Sequence, residues 1–264
     1  LAENQNALPA SVNFNNSYSA LYSYVSILGQ PIGQMYGLLF DGVYQLDEFN
    51  IDGNGNYVLK SNIPTNGNVS TVIKPGHIKY KDLNDDGQIN TSDYTIIGRS
   101  LPIHTGGFTN NFNYKDFDLN VLMQWSYGND LINGNRYLFE GSSRKNLNQF
   151  ASYADRWTID NQASNIPAAN GQGPAHFSDR VLEDGSYLRL KTVSLGYNLP
   201  SGFANKHRVK NLRLYVSAQN LVTWTNYTGP DPEVSVGYST LTQGFDYAAY
   251  PRAKTITFGL NLTL

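Results

Sequence analysis

Hydrophobic and polar residues alternate one by one along four stretches of the chain, the period of a half-covered β-strand. In residues 255–264, Ile256, Phe258, Leu260, Leu262 and Leu264 share one face, with Thr255, Thr257, Gly259, Asn261 and Thr263 on the other. Residues 209–221 set Leu212, Leu214, Val216 and Ala218 against Arg213, Tyr215, Ser217 and Gln219. Residues 117–127 repeat the pattern with Leu122 as the exception. Residues 107–114, joined to them through Lys115-Asp116, predict a tight hairpin. In residues 186–199 the parity of Val193, Leu195, Tyr197 and Leu199 belongs upstream to Arg189 and Lys191, and a bulge near Lys191 or Thr192 would reset it. Residues 18–28 and 32–44 read as two further strands, the second interrupted by glycines.

The connections sharpen this picture, because short and long ones alternate. Lys115-Asp116 and the link around 200–210 are short, whereas 41–104, 128–185 and 225–251 are long. Long structureless loops are uncommon in a sandwich, but an outer-membrane barrel has short turns on one side and long loops on the other. That topology places the chain's end at the periplasmic face. Trp125, Tyr127, Trp224, Tyr227 and Tyr250 fall where strands would meet the outer interface, as an aromatic girdle requires; the competing reading makes them core aromatics of a soluble sandwich.

Composition agrees with an all-β chain: 19 Tyr, 12 Phe and 24 Gly among 264 residues, with many Asn, disfavour helices. No run of about 18 apolar residues predicts a membrane helix, a test that a barrel passes unseen. The formal net charge is −2, from 19 Lys and Arg against 21 Asp and Glu, which gives nucleic acid no electrostatic footing. Cysteine is absent, so disulfides and thiolate chemistry are excluded.

One motif carries metal chemistry. Asp82, Asn84 and Asp86, the carbonyl of Gln88, and Asp93 occupy positions one, three, five, seven and twelve of a calcium loop, with Gly87 at its turn and Ile89 as its apolar pin. The number of oxygen donors favours Ca2+ over Mg2+, and the expected role is to stiffen a long loop, the metal insert spanning 75–98. A polar turn that binds no ion is the alternative. No enzyme is indicated. The histidines at 77, 104, 176 and 207 show no paired spacing, and no nucleophile elbow or phosphate loop is present. Asp179, Glu183 and Asp184 are expected to be solvated acids or partners of Arg180 or Arg189, and Trp157 is expected to pack.

Beyond these readings, an ordered series of motifs resembles the SusC/RagA family of TonB-linked outer-membrane transporters. It runs through Gly29-Gln30-Pro31-Ile32-Gly33, Tyr36-Gly37, Asp41-Gly42, Pro75-Gly76-His77-Ile78 and Lys81-Asp82-Leu83-Asn84-Asp85-Asp86-Gly87. It continues with Tyr127-Gly128-Asn129-Asp130, Arg156-Trp157-Thr158, Glu183-Asp184-Gly185-Ser186-Tyr187-Leu188-Arg189-Leu190-Lys191, Ser217-Ala218-Gln219-Asn220-Leu221, Asp231-Pro232-Glu233 and Phe258-Gly259-Leu260-Asn261-Leu262. The resemblance implies that residues 1–264 are the C-terminal part of a large antiparallel transmembrane β-barrel, 22-stranded when complete, with long extracellular loops. It implies an outer-membrane importer of the Bacteroidetes type that takes up an oligosaccharide or peptide with energy from TonB. The expected partners are the remaining barrel and plug, TonB through the N-terminal part, membrane lipid, and a SusD-like surface lipoprotein. Arg213, Tyr215, Gln219 and Asn261 are then expected to face the lumen. The departures are Leu264, where such barrels usually end in Phe, and Gly98-Arg99-Ser100-Leu101-Pro102, where an Asn-Pro form is commoner. The runner-up is a secreted, calcium-stabilised β-sandwich that binds carbohydrate.

Overall fold

The computed structural model describes residues 7–15, 18–66, 73–141, 146–171, 178–200, 202, 210–233 and 241–263. In chain order its strands are β1 (Ala7–Asn15), β2 (Tyr18–Ile27), β3 (Gln34–Gly37), β4 (Phe40–Val43), β5 (Phe49–Ile51), β6 (Tyr57–Leu59), β7 (Ile78–Tyr80) and β8 (Thr95–Arg99). There follow β9 (His104–Tyr114), β10 (Phe117–Tyr127), β11 (Asp130–Asn133), the one-and-a-half-turn helix α1 (Gly134–Phe139) and β12 (Leu182–Asp184). The last strands are β13 (Tyr187–Asn198), β14 (Asn211–Thr225), β15 (Phe245–Asp246) and β16 (Thr255–Thr263). They form two compact units, one of residues 1–101, 130–183 and 234–249, the other of residues 102–129, 184–233 and 250–264.

The first unit has a conventional interior. A four-stranded sheet ordered β1-β2-β3-β8 is joined by small two- and three-stranded sheets. One cluster packs Tyr24, Met35, Ile132, Tyr137, Leu138, Val181 and Phe245. A second packs Val25, Tyr36, Leu38, Ile78, Tyr80, Ile89 and Tyr94. Each large apolar side chain so covered contributes about 1.5–3 kcal/mol. The stretch expected as one strand over 32–44 is therefore two, β3 and β4. Leu38 is buried between them and its residue bridges to Ser178. The 41–104 connection, expected to lack structure, holds β5 to β8, because Ile78, Tyr80, Ile89 and Tyr94 give it apolar groups of its own to bury. Gly76, with φ of +83°, lies so close beneath the Trp157 ring and Ala168 that any Cβ there would overlap them. Trp157 is buried and its Nε1 donates to Gln45 Oε1 at 3.1 Å, so it packs as expected.

The second unit is a five-stranded antiparallel sheet ordered β16-β14-β13-β10-β9. Lys115-Asp116 makes the two-residue β9–β10 turn, with Lys115 at φ of +53°. The expected reset of phase is present. Opposite the single step Leu122–Met123, β13 takes two residues, Thr192 to Leu190, so Lys191 is the extra one. A second bulge lies in β14, where the same two-residue step faces Gln219 to Val222 and Asn220 adopts φ of +51°. These insertions keep the two faces distinct from end to end. Phe112, Leu119, Leu195, Val216 and Phe258 form one apolar row across all five strands; Tyr114, Phe117, Tyr197, Leu214 and Leu260 form the next. The other face carries Asn113, Asp118, Gly196, Tyr215 and Gly259 in one row and Asn111, Asn120, Ser194, Ser217 and Thr257 in another.

This apolar face is open: Phe258 is 80% exposed and Ile256 60%. Of the buried hydrophobic residues among those described, only Tyr227 belongs to this unit. A sandwich would bury such a face against a second sheet. Trp125, Tyr127 and Trp224 stand at one end of it, as a girdle requires. Tyr227 does not join them; it is buried, its ring folded over Gly229, where it makes a local packing contact.

Candidate functional site

The polar face of the five-stranded sheet brings the predicted lumen residues into two groups. Arg213 stands between Asn198 and Asn261 in register. Its guanidinium reaches across β13 to Asp118, with Nε–Oδ1 at 3.1 Å and Nη2–Oδ2 at 2.5 Å, and lies 5.3 Å from the centre of the Tyr215 ring. Two glycines make this possible. Gly196 leaves room for the ion pair to cross β13, and Gly259 lies directly under the Tyr215 ring. Gln219 is farther along β14, opposite Thr192 and Thr255. Asp118 completes the group; its alternation marks it as polar, but only register shows that it meets Arg213.

A charged cluster that the sequence motifs contained but did not connect lies at the far end of β13. Arg189 is almost wholly buried, its Nη2 bonded to Asp231 Oδ1 at 2.5 Å and its Nη1 to Glu233 Oε2 at 2.9 Å. Glu233 also receives Lys191 Nζ at 3.1 Å and Arg252 Nε at 2.9 Å. The amides of Glu233 and Arg252 donate to Asp231 at 2.8 and 3.0 Å. Burial, the largest influence, pushes the Asp231 carboxyl up, yet Arg189 and the two amides together hold it below the usual carboxylate range. The cluster ties the connections after β14 and before β16 to β13. Arg189 thus pairs with Asp231 and Glu233, not with the acids at 179, 183 or 184. Glu183 instead accepts from Asn133 and Arg136, Asp179 Oδ1 from the Phe40 amide, and Arg180 pairs with Glu140.

The metal-loop residues lie in the first unit and already adopt a hydrogen-bonded turn. Asp82 Oδ2 accepts from the Gly87 amide at 2.7 Å, Asp86 Oδ1 from the Gln88 amide at 2.8 Å, and Asn84 Nδ2 donates to Asp86 Oδ2 at 3.0 Å. Gly87 has φ of +78°, and Ile89 is fully buried, as its pinning role requires. Asp93 is buried too, and its two oxygens accept from the amides of Leu83 and Asn90 at 2.9 and 2.7 Å. Among the described residues no three acidic or histidine side chains converge in metal-holding geometry. The donors that fit a hard cation are those of Asp82, Asn84 and Asp86 with the Gln88 carbonyl, while Asp93 closes the loop through backbone amides.

Of the histidines, His104 stacks on Tyr127 at 5.2 Å and accepts the Trp125 indole N–H at Nδ1, 3.1 Å away. His176 and His207 lie outside the described residues.

A five-stranded sheet with one open apolar face and one polar, ion-paired face is a segment of a large antiparallel β-barrel wall. The chain belongs with the TonB-dependent receptors of the SusC/RagA type. No protein-family model matches the sequence. TonB-dependent receptor P3 of Formosa agariphila is 36% identical over 239 residues, which are 89% of this chain and 22% of that protein. TonB-dependent receptor P26 of the same organism is 39% identical over 197 residues, 71% of this chain and 20% of that one. TonB-dependent receptor SusC of Bacteroides thetaiotaomicron is 27% identical over 191 residues, 72% of this chain and 18% of that one. The chain thus spans about a fifth of the length of these relatives. The structure of the RagAB peptide transporter superposes with a TM-score of 0.69 at 25% identity, covering 97% of this chain and 24% of that one. These relatives are receptors and transporters, and none is named as an enzyme.

Proposed function

We propose that the chain is part of the C-terminal barrel of an outer-membrane importer, energised through TonB, that takes up an oligosaccharide. The observation that carries this reading is the two-sided sheet, whose open apolar rows suit lipid and whose polar rows suit a water-filled lumen. Arg213, Tyr215, Gln219 and Asn261 then face the transport path or the plug. The hydroxyl-, amide- and aromatic-rich surface matches a neutral, hydroxylated cargo. Import of a peptide is the second reading, favoured by the likeness to a peptide transporter. A SusD-like lipoprotein meets the long extracellular connections, and the chain's end lies at the periplasmic face. The 75–98 insert belongs to one of those connections, where Ca2+, held by Asp82, Asn84, Asp86 and the Gln88 carbonyl, neutralises the facing carboxylates and stiffens the loop. Cells lacking the full-length receptor are expected to lose growth on particular oligosaccharides while growth on the constituent monosaccharide persists. Loss of peptide uptake alone would replace oligosaccharide by peptide, and unchanged growth and uptake of both would refute import.

A further inference from the structure

Where the apolar face of the five-stranded sheet ends, it opens into a cleft of about 820 Å³. Its floor is Leu188, registered between Trp125 on β10 and Trp224 on β14. The cleft exists because the Trp125 indole is laid sideways: it covers Gly106 on β9, where a Cβ would overlap it, and its N–H is fixed on His104. Space above Leu188 is thereby left open, with Tyr127 and Asp184 also lining it. Asp184 Oδ1 accepts the Ser186 amide at 2.8 Å, and Oδ2 makes no hydrogen bond among the described residues. No lysine or arginine lines the cleft.

We infer that this cleft binds the headgroup of an amine-headed membrane lipid whose acyl chains run down the adjoining apolar rows. The inference rests on the membrane reading above and adds to it a headgroup preference. Three features select an ammonium over an anion: aromatic faces that attract cations, one carboxylate with a free oxygen, and a lining without lysine or arginine, in which the one imidazole, His104, has its Nδ1 taken as the acceptor of the Trp125 indole N–H. The apolar floor, continuous with Met123, Leu190 and Val222 in the next row, selects an amphiphile over a free amine.

The test uses the full-length receptor in detergent micelles, titrated with phosphatidylethanolamine or phosphatidylglycerol of identical brominated acyl chains while tryptophan quenching is followed. Half-maximal quenching is expected at about tenfold lower phosphatidylethanolamine than phosphatidylglycerol. Asp184→Asn, a change at an exposed position, is expected to abolish that preference, and Trp224→Phe to remove most of the headgroup-dependent quenching. Both variants are checked for folding by heat-modifiable gel migration. Equal quenching by the two lipids would overturn the headgroup site and leave the membrane reading standing. Displacement of the bound lipid by a free oligosaccharide would make the cleft a glycan site instead. A protein that stays soluble without detergent and is quenched by neither lipid would overturn both readings.

Discussion

Single side chains in this protein carry weight where a charge is buried or a ring replaces a missing Cβ. Glu140 is such a point: Arg180 Nη2 at 3.0 Å, Arg136 Nε at 3.2 Å and the Ser152 hydroxyl at 2.8 Å all donate to its carboxylate. Burial drags the Arg180 guanidinium below its usual value, and Glu140 counters it. Glu140→Ala removes the carboxylate that counters this buried cation and is expected to cost about 3–5 kcal/mol in denaturant unfolding. Replacing Glu140 and Arg180 together by Leu and Met is expected to cost less, because the buried cation is removed along with its counter-charge. A double substitution as damaging as the single one would show that packing, not charge, holds this site.

Elements are fixed by what their ends are tied to. The connection after β14 is held by Asp231 and Glu233 on Arg189, and Asp231 titrates below its unfolded value. A depressed carboxylate contributes its stabilisation in full above the unfolded pKa, near 4, and loses it as pH falls through the folded one. Protease cleavage within 226–252 is therefore expected to accelerate below about pH 4, and Asp231→Asn to raise cleavage at neutral pH and flatten its pH dependence. The metal loop gives a second test. With the affinity of extracellular calcium modules, 5 mM Ca2+ is expected to stabilise by about 1–2 kcal/mol, read as a rise in the unfolding midpoint. Asp82→Ala is expected to abolish the rise, whereas Asp93→Asn is expected to destabilise with or without calcium, since Asp93 holds two amides. A calcium-independent midpoint in the parent protein would remove the metal from the loop.

These elements also show what was legible in the sequence. Period-two alternation found β10 to the residue and β13, β14 and β16 to within a few residues, because each strand has one face toward a uniform environment. The conflict of parity at Lys191 exposed one bulge, while the one at Asn220 escaped because it inserts two residues, Asn220 and Leu221, and leaves the shared parity of Val216, Ala218, Val222 and Trp224 intact. β5 to β8 were hidden by their three- to five-residue length. The Arg189 cluster was invisible for another reason: its partners lie 42 and 44 residues away, and no local pattern encodes a pairing at that distance.

On the scale of the whole molecule, the two units place their apolar residues differently. The first buries them, and the second presents them outward on a sheet whose outer strands, β9 and β16, each have one neighbour among the described residues. A lysine in the middle of the apolar face, Val216→Lys, is expected to cost about 2–4 kcal/mol for the receptor refolded into liposomes, and Ser217→Lys on the polar face much less. Equal costs would contradict a lipid-facing assignment. The same outward rows make water a hostile medium on the way to the membrane. A chain that formed this sheet in water would carry a five-strand-wide adhesive surface, prone to collapse onto itself or its copies. Burial against lipid and aggregation in water thus compete for the same apolar rows.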